Sequence, residues 1–162
     1  MHTAYIGIGS NQGERLNICR KAIAAVCADD GSRLDAQSGF YETEPVGWED
    51  QEWFVNGVIR IITELEARAL HDRLQRIEHG FGRRSEGPRF GPRVLDLDLL
   101  FFDDVAVKTE HLEIPHPRLH ERRFVLQPLC DIAPGLVHPV IGKTASQLLS
   151  NLRDKKRVVL LA

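Results

Sequence analysis

Between residues 3 and 103 the apolar residues change period in a fixed order, and that order constrains the fold more than any other feature of the chain. Residues 3–9 (TAYIGIG) read as a buried strand. SNQGE then opens a helix in which Leu16, Cys19, Ile23 and Val26 recur at helical spacing through about residue 28. DDGS breaks it. Residues 33–43 (RLDAQSGFYET) read as a second strand, EPVGWEDQ as a loop, and the β-branched run WFVNGVIRIITEL (53–65) as a third strand. Leu70, Leu74, Ile77 and Phe81 mark one stripe of a helix over 67–81. GRRSEGPRFGPR is a Gly/Pro-punctuated basic loop, and a strand through DLDLL follows. The order β-α-β-β-α-β predicts an α+β, ferredoxin-like core in a single domain, residues 1–162, with a C-terminal extension. Its antiparallel sheet is expected to carry helices on one face and leave the other free for a site. The extension is expected to hold a short extended pair near 105–114, a turn at IPHPRL, helices around 124–132 and 144–152, and a possible edge strand, RVVLL.

The strand at 94–103 poses a chemical problem. Alternation gives one face Leu95, Leu97, Leu99 and Phe101, and the other Val94, Asp96, Asp98, Leu100 and Phe102. Asp96 and Asp98 point the same way, with backbones roughly 7 Å apart. Two like charges in a semi-apolar setting repel and resist ionisation, so something must neutralise them. A hard cation such as Mg²⁺ suits such a carboxylate pair and commonly shares it with substrate phosphates. Arg83, Arg84, Arg89 and Arg93 lie just upstream, and guanidinium groups donate in a planar fork that matches phosphate oxygens. Loop and strand together read as a metal–polyphosphate site, with the loop as a closing lid; the competing reading pairs the arginines with Asp96, Asp98 and Glu86.

Other features narrow the field. A net charge of −2 creates no global basic field, so neither nucleic acid nor a membrane surface is an expected partner. No apolar stretch approaches the ~20 residues of a membrane span. Cys19, Cys27 and Cys130 are odd in number and lack C-x-x-C spacing, which favours reduced thiols in a cytoplasmic protein. GIGSNQGE matches neither phosphate-loop glycine pattern and reads as a tight strand-to-helix turn. Trp48, Trp53, Phe54 and Phe124 are candidates to stack a flat heterocycle, and Asn56 shares a strand face with Phe54. His116 and His120 have i, i+4 spacing, but PHPRLH is a poor helix, so a zinc pair is disfavoured and His116 reads as a phosphate-side residue. Open alternatives are another two-metal nucleotidyl transferase or cyclase-like enzyme, and a non-catalytic ferredoxin-like RNA-binding module.

GPRVLDLDLL resembles the signature of the 6-hydroxymethyl-7,8-dihydropterin pyrophosphokinases of folate biosynthesis. Further matches are YIGIGSN at 5–11, FYETEPVG at 40–47, FVNGV at 54–58, RIE at 76–78, GR at 82–83, IPHPRLHERRFVLQPL at 114–129 and IAP at 132–134. The resemblance implies an ATP-dependent diphosphotransferase, expected as a monomer, that moves the β,γ-diphosphate of ATP to the pterin hydroxymethyl group and releases AMP. It implies that Asp96 and Asp98 hold two Mg²⁺ ions and that Arg83 and Arg93 contact the polyphosphate. It puts Gln75, Glu78, Phe90, Leu99, Leu112, His116 and Arg122 at ATP-binding positions, with Arg84 standing in for an arginine that many members carry where this chain has Ser85. Phe54 and Phe124 match the aromatic pair that sandwiches the pterin, and Gly9, Thr43, Pro45, Val46 and Asn56 match its pocket.

Overall fold

The computed structural model describes residues 1–47, 50–82 and 93–162. In chain order the elements are β1 (His2–Ser10), α1 (Arg15–Val26), β2 (Ser32–Gln37), β3 (Tyr41–Thr43), β4 (Phe54–Thr63), α2 (Ala67–Gly80), β5 (Asp96–Phe102), β6 (Val107–Lys108), β7 (Glu113–Ile114), α3 (Arg123–Ile132), α4 (Ala145–Ser150) and β8 (Val158–Leu160). The main sheet runs β5-β1-β4-β3-β8, with β2 also on β4, and every pairing in it is antiparallel. The expected α+β architecture, strand order and C-terminal edge strand are all present, and β6 and β7 form the expected extended pair. Among the described residues no helix is long and apolar enough to cross a membrane.

One face follows from period-two alternation. Ala4, Ile6 and Ile8 of β1, Val55, Ile59 and Ile61 of β4, and Leu97 and Leu99 of β5 pack under the apolar stripes of α1 and α2, and Leu95 joins them. Gly57 interrupts the β4 row because a Cβ there would sit 3.0 Å from the Phe40 ring, which fills the gap.

Three expectations are corrected. Residues 33–43 are not one strand. The chain breaks at 38–40, where the Ser38 hydroxyl accepts a 2.8 Å bond from the Val58 N–H, and β2 and β3 continue on β4 one residue out of step. Alternation also fails inside β5. Ile6 pairs with Leu99 but Tyr5 with Phe101, so Leu100 is the extra residue of a bulge. Phe101 therefore joins Leu100 on the second face, and Phe102 turns back to the α1/α2 core. Finally, the second face is not left free. Val125, Leu126 and Leu129 of α3, with Ala145 and Leu148 of α4, bury Tyr5, Val58, Leu100 and Phe101. Helices thus cover both faces, and the part of the second face bearing residues 7, 9, 54, 56, 58, 96 and 98 borders a cavity.

Candidate active site

The site begins with a register. Asp96 lies opposite Gly9 and Asp98 opposite Gly7, so β1 presents hydrogen where any other residue would present a side chain beside the carboxylates. These glycines lie within β1, as the strand reading of residues 3–9 expects, and the turn read into GIGSNQGE begins only after Ser10. The space they leave is part of a cavity of about 240 Å³. Gly9 is also fixed by contact, since a Cβ there would stand 2.4 Å from Asn56 Oδ1.

The apolar wall comes from β4 and α3. Phe54 and Asn56 point into the cavity from β4, and Phe124 reaches it from the first turn of α3. The Asn56 amide donates to Thr43 Oγ1 at 2.7 Å on the neighbouring strand, which leaves its carbonyl oxygen beside Gly9. Thr43, Glu44 and Val46 complete this wall. An apolar pocket with a few oriented polar groups is what a flat heterocycle with a polar edge requires.

The same cavity also carries basic groups. Arg93, Arg122 and His116 line the same cavity as the two aspartates. The β5 bulge helps place the histidine: the His116 N–H donates to the Leu100 carbonyl at 3.0 Å. The Arg118 N–H donates to His116 Nδ1 at 3.3 Å, which leaves the ring proton on Nε2. Burial, reinforced by the charges of Arg122 and Arg118, holds the His116 pKa down to about 4. The ring is therefore a neutral N–H donor near pH 7. Among the described residues no three His, Cys, Asp or Glu side chains gather as a metal cage. Two aspartates on one strand face, sharing a cavity with two arginines, fit Mg²⁺ held jointly by protein and phosphate better than a cation bound by protein alone.

Gly9, Thr43, Val46, Phe54, Asn56, Arg93, Asp96, Asp98, His116, Arg122 and Phe124 are all brought together as expected. Pro45 is buried within the segment that supplies Thr43, Glu44 and Val46 but does not itself line the cavity. Gln75 is exposed on α2, Leu99 has its side chain in the core, and Leu112 packs against that core just before β7. Glu78 is buried on α2 and accepts from the Leu97 N–H at 2.8 Å, which fixes the strand between the two acids. Arg83, Arg84 and Phe90, with Ser85, Arg89 and Trp48, lie outside the described residues. Sequence reasoning missed Gly7, Ile8, Glu44, Gly57, Val58 and Val125 in the lining. It also missed the support from the chain's end. Asp154 Oδ2 accepts from the Arg123 N–H in the first turn of α3, beside Phe124. The Arg157 N–H donates to Glu44 Oε1 at 2.7 Å, and its guanidinium lies 4.8 Å from the Trp53 ring centroid. No local pattern announces such long-range partners.

Residues 5–134 match the family described as 7,8-dihydro-6-hydroxymethylpterin-pyrophosphokinase. The chain belongs to this family. A Methylorubrum extorquens 2-amino-4-hydroxy-6-hydroxymethyldihydropteridine pyrophosphokinase is 41% identical over 152 residues, 94% of each chain. Bacillus subtilis and Haemophilus influenzae proteins of the same name are 44% and 39% identical, covering 80% and 99% of this chain and 77% and 99% of theirs. In fold, the chain is similar to a Plasmodium falciparum HPPK-DHPS structure, with a TM-score of 0.72 at 14% identity, covering 92% of this chain and 45% of that one. Membership in this pyrophosphokinase family makes the chain an enzyme of folate synthesis and excludes the non-catalytic RNA-binding module.

Proposed function

We propose that this chain transfers the β,γ-diphosphate of ATP to the hydroxymethyl oxygen of 6-hydroxymethyl-7,8-dihydropterin and releases AMP. The observation that carries the reading is one cavity that brings together Asp96, Asp98, Arg93 and Arg122 with Phe54, Asn56 and Phe124, and the Arg122 guanidinium lies 5.4 Å from the Phe124 ring centroid, where the two sets meet. The pterin ring lies between Phe54 and Phe124, and its polar edge meets Asn56, which Thr43 holds in orientation. The polyphosphate lies against Arg93, Arg122 and neutral His116 as donors, and Arg83 and Arg84 are assigned to the same task. Gln75, Glu78, Phe90, Leu99 and Leu112 are assigned to the nucleotide, Leu99 through its main chain because its side chain is in the core.

Mg²⁺, two ions in this reading, is held by Asp96 and Asp98 and supplies charge neutralisation to the polyphosphate. The substrate hydroxyl forms a bond to the β-phosphorus while the bond from that phosphorus to the α,β-bridging oxygen breaks, and AMP leaves with that oxygen. The hydroxyl proton passes to solvent. Asp96 and Asp98 are assigned as ligands rather than bases, because phosphoryl transfer depends chiefly on alignment and charge stabilisation. Arg93 stabilises charge that grows on the transferred group.

Incubation with MgATP and 6-hydroxymethyl-7,8-dihydropterin, followed by chromatography of the nucleotides, tests the reading. AMP and a diphosphorylated pterin are expected. Released pyrophosphate with a nucleotidylated product would instead identify a nucleotidyl transferase and overturn it.

A further inference from the structure

The segment between β1 and α1 contains a side chain that none of the assignments above uses. Asn11 does not line the cavity, yet it is only 3% exposed and uses both ends of its amide. Its Oδ1 accepts from the Arg93 N–H at 2.8 Å, and its own backbone N–H donates to the Arg93 carbonyl at 3.0 Å. Its Nδ2 donates to Gln51 Oε1 at 2.8 Å and to the Glu52 carbonyl at 3.0 Å. Arg93 is the basic residue three positions before Asp96, and Glu52 stands two positions before Phe54. One buried amide therefore joins the segment that delivers the polyphosphate-side arginine to the segment that delivers the heterocycle-side aromatic. A second tie from the same region supports the latter segment: Arg15 donates to the Trp53 carbonyl at 2.7 Å and pairs with Glu42 at 3.2 Å.

We propose that Asn11 is a positioning residue that couples the nucleotide and pterin half-sites. Each half-site is seated by a backbone group bonded to the same side chain. Ordering one segment around its ligand fixes the Asn11 amide plane and so pre-orders the hydrogen-bond partners of the other. Each ligand then binds more tightly in the presence of the other, by the same factor in both directions, as linkage requires. No other residue type supplies one acceptor and two donors in a short planar group of this size. Aspartate has the same shape and keeps the bond from Arg93, but it turns an acceptor toward the Glu52 carbonyl.

The inference rests on the reading that the site binds ATP and a hydroxymethylpterin. It is tested by calorimetric titration of 6-hydroxymethylpterin into the full chain, with and without MgATP carrying a methylene at the α,β bridge, which blocks the bond that would break. In the wild type the nucleotide should tighten pterin binding at least fivefold. In Asn11→Ala and Asn11→Asp that ratio should fall below twofold, while affinity for the nucleotide alone changes less than threefold. Both variants should also lose more in kcat than in KM for ATP, a division that mere loosening of the fold would not produce. The inference is overturned if wild type shows no coupling, if both variants keep the wild-type ratio, or if both lose nucleotide affinity and pterin affinity in parallel with a collapse of Tm. A wild type that binds neither ligand would overturn the functional reading itself, whereas a coupled wild type with coupled variants would overturn only the role of Asn11.

Discussion

The two faces of the central sheet are made by the same strands and obey different rules. Toward α1 and α2, alternate residues of β1, β4 and β5 are aliphatic and close-packed, and any shape-conserving exchange there is a question of stability. One residue along each strand, the other face carries Gly7, Gly9, Asn56, Asp96 and Asp98, which bury little apolar area and cannot hold the fold together. α3 and α4 close the rest of that face with a second apolar cluster, which leaves the polar group as the floor of a cavity. Stability and chemistry are thus separated by a one-residue step along a strand.

Adjacent residues of β5 give the strongest test of that separation. Asp98→Asn and Asp96→Asn should each lower the rate of AMP formation by about a hundredfold or more, the scale on which a site loses one preorganised charge-stabilising group, while calorimetric Tm stays near wild type. Leu97→Ala should do the reverse. It removes a buried side chain from the α1/α2 core at a cost of about 2–5 kcal/mol, yet at a temperature well below its lowered Tm it should keep most of its turnover. If Asp98→Asn unfolds and Leu97→Ala is the inactive variant, the two faces have been assigned the wrong way round.

Gly9→Ala tests whether the open floor needs its missing side chain. The new methyl would be driven into Asn56 Oδ1 and force that amide off its bond to Thr43. Loss of one well-formed buried polar contact is worth roughly 1–3 kcal/mol, so pterin affinity should fall by about tenfold to a hundredfold. Affinity for a nucleotide analogue alone should hardly move, and equal losses for both ligands would show that the glycine serves the strand and not the pocket.

Phe124→Ala probes the boundary between the two regimes, because this ring belongs to the cavity and packs against the second apolar cluster. Stacking contributes roughly 0.5–1.5 kcal/mol beyond area burial. Fluorescence titration should show pterin binding weakened by up to about tenfold, together with a small drop in Tm. A drop in Tm with unaltered pterin affinity would move Phe124 from the site to the core.

The smallest effect is expected at the far end of β1. His2 donates to Asp103 at 2.7 Å and also bonds Glu66 at 3.2 Å, and these contacts raise its pKa above 6.5. A raised histidine stabilises the fold fully below the unfolded-state value near 6.5, and that contribution disappears as pH rises through the higher folded-state value. The Tm difference between wild type and His2→Gln should therefore be largest in mildly acidic buffer and shrink toward alkaline pH. A difference that grows with pH would refute the ion pair. The His116 ring, held neutral in the fold, lowers stability as pH falls through the unfolded-state value near 6.5, but it does so in both proteins and cancels from their difference.

Much of this was legible in the residues. The β-α-β-β-α-β order, the α1/α2 core and the clustering of Asp96 and Asp98 with Arg93 follow from periodicity and from the chemistry of neighbouring charges, both local properties of the chain. Residue chemistry offered Phe54 and Phe124 among four aromatic candidates, with Asn56 beside Phe54, and the family resemblance singled out the pair. Other features depended on which segments meet. The bulge at Leu100 reverses Phe101 and Phe102 because β5 must match Tyr5 on β1 while its carbonyl receives His116, and no window of sequence around residue 100 carries that requirement. The purpose of Gly7 and Gly9 emerged only when β5 was set beside β1 in a register that lays hydrogens opposite carboxylates. The hold of Asp154 on α3 and of Arg157 on Glu44 joins residues more than thirty and more than a hundred positions apart. The double grip of Asn11 on Arg93 and Glu52 is of the same kind. Sequence determined the elements, the dry face and the reactive groups, because these depend on each residue's own periodicity and charge. Tertiary structure decided the register, the covering of the second face and the ties between half-sites, because a hydrogen bond or a steric gap is a property of two segments together.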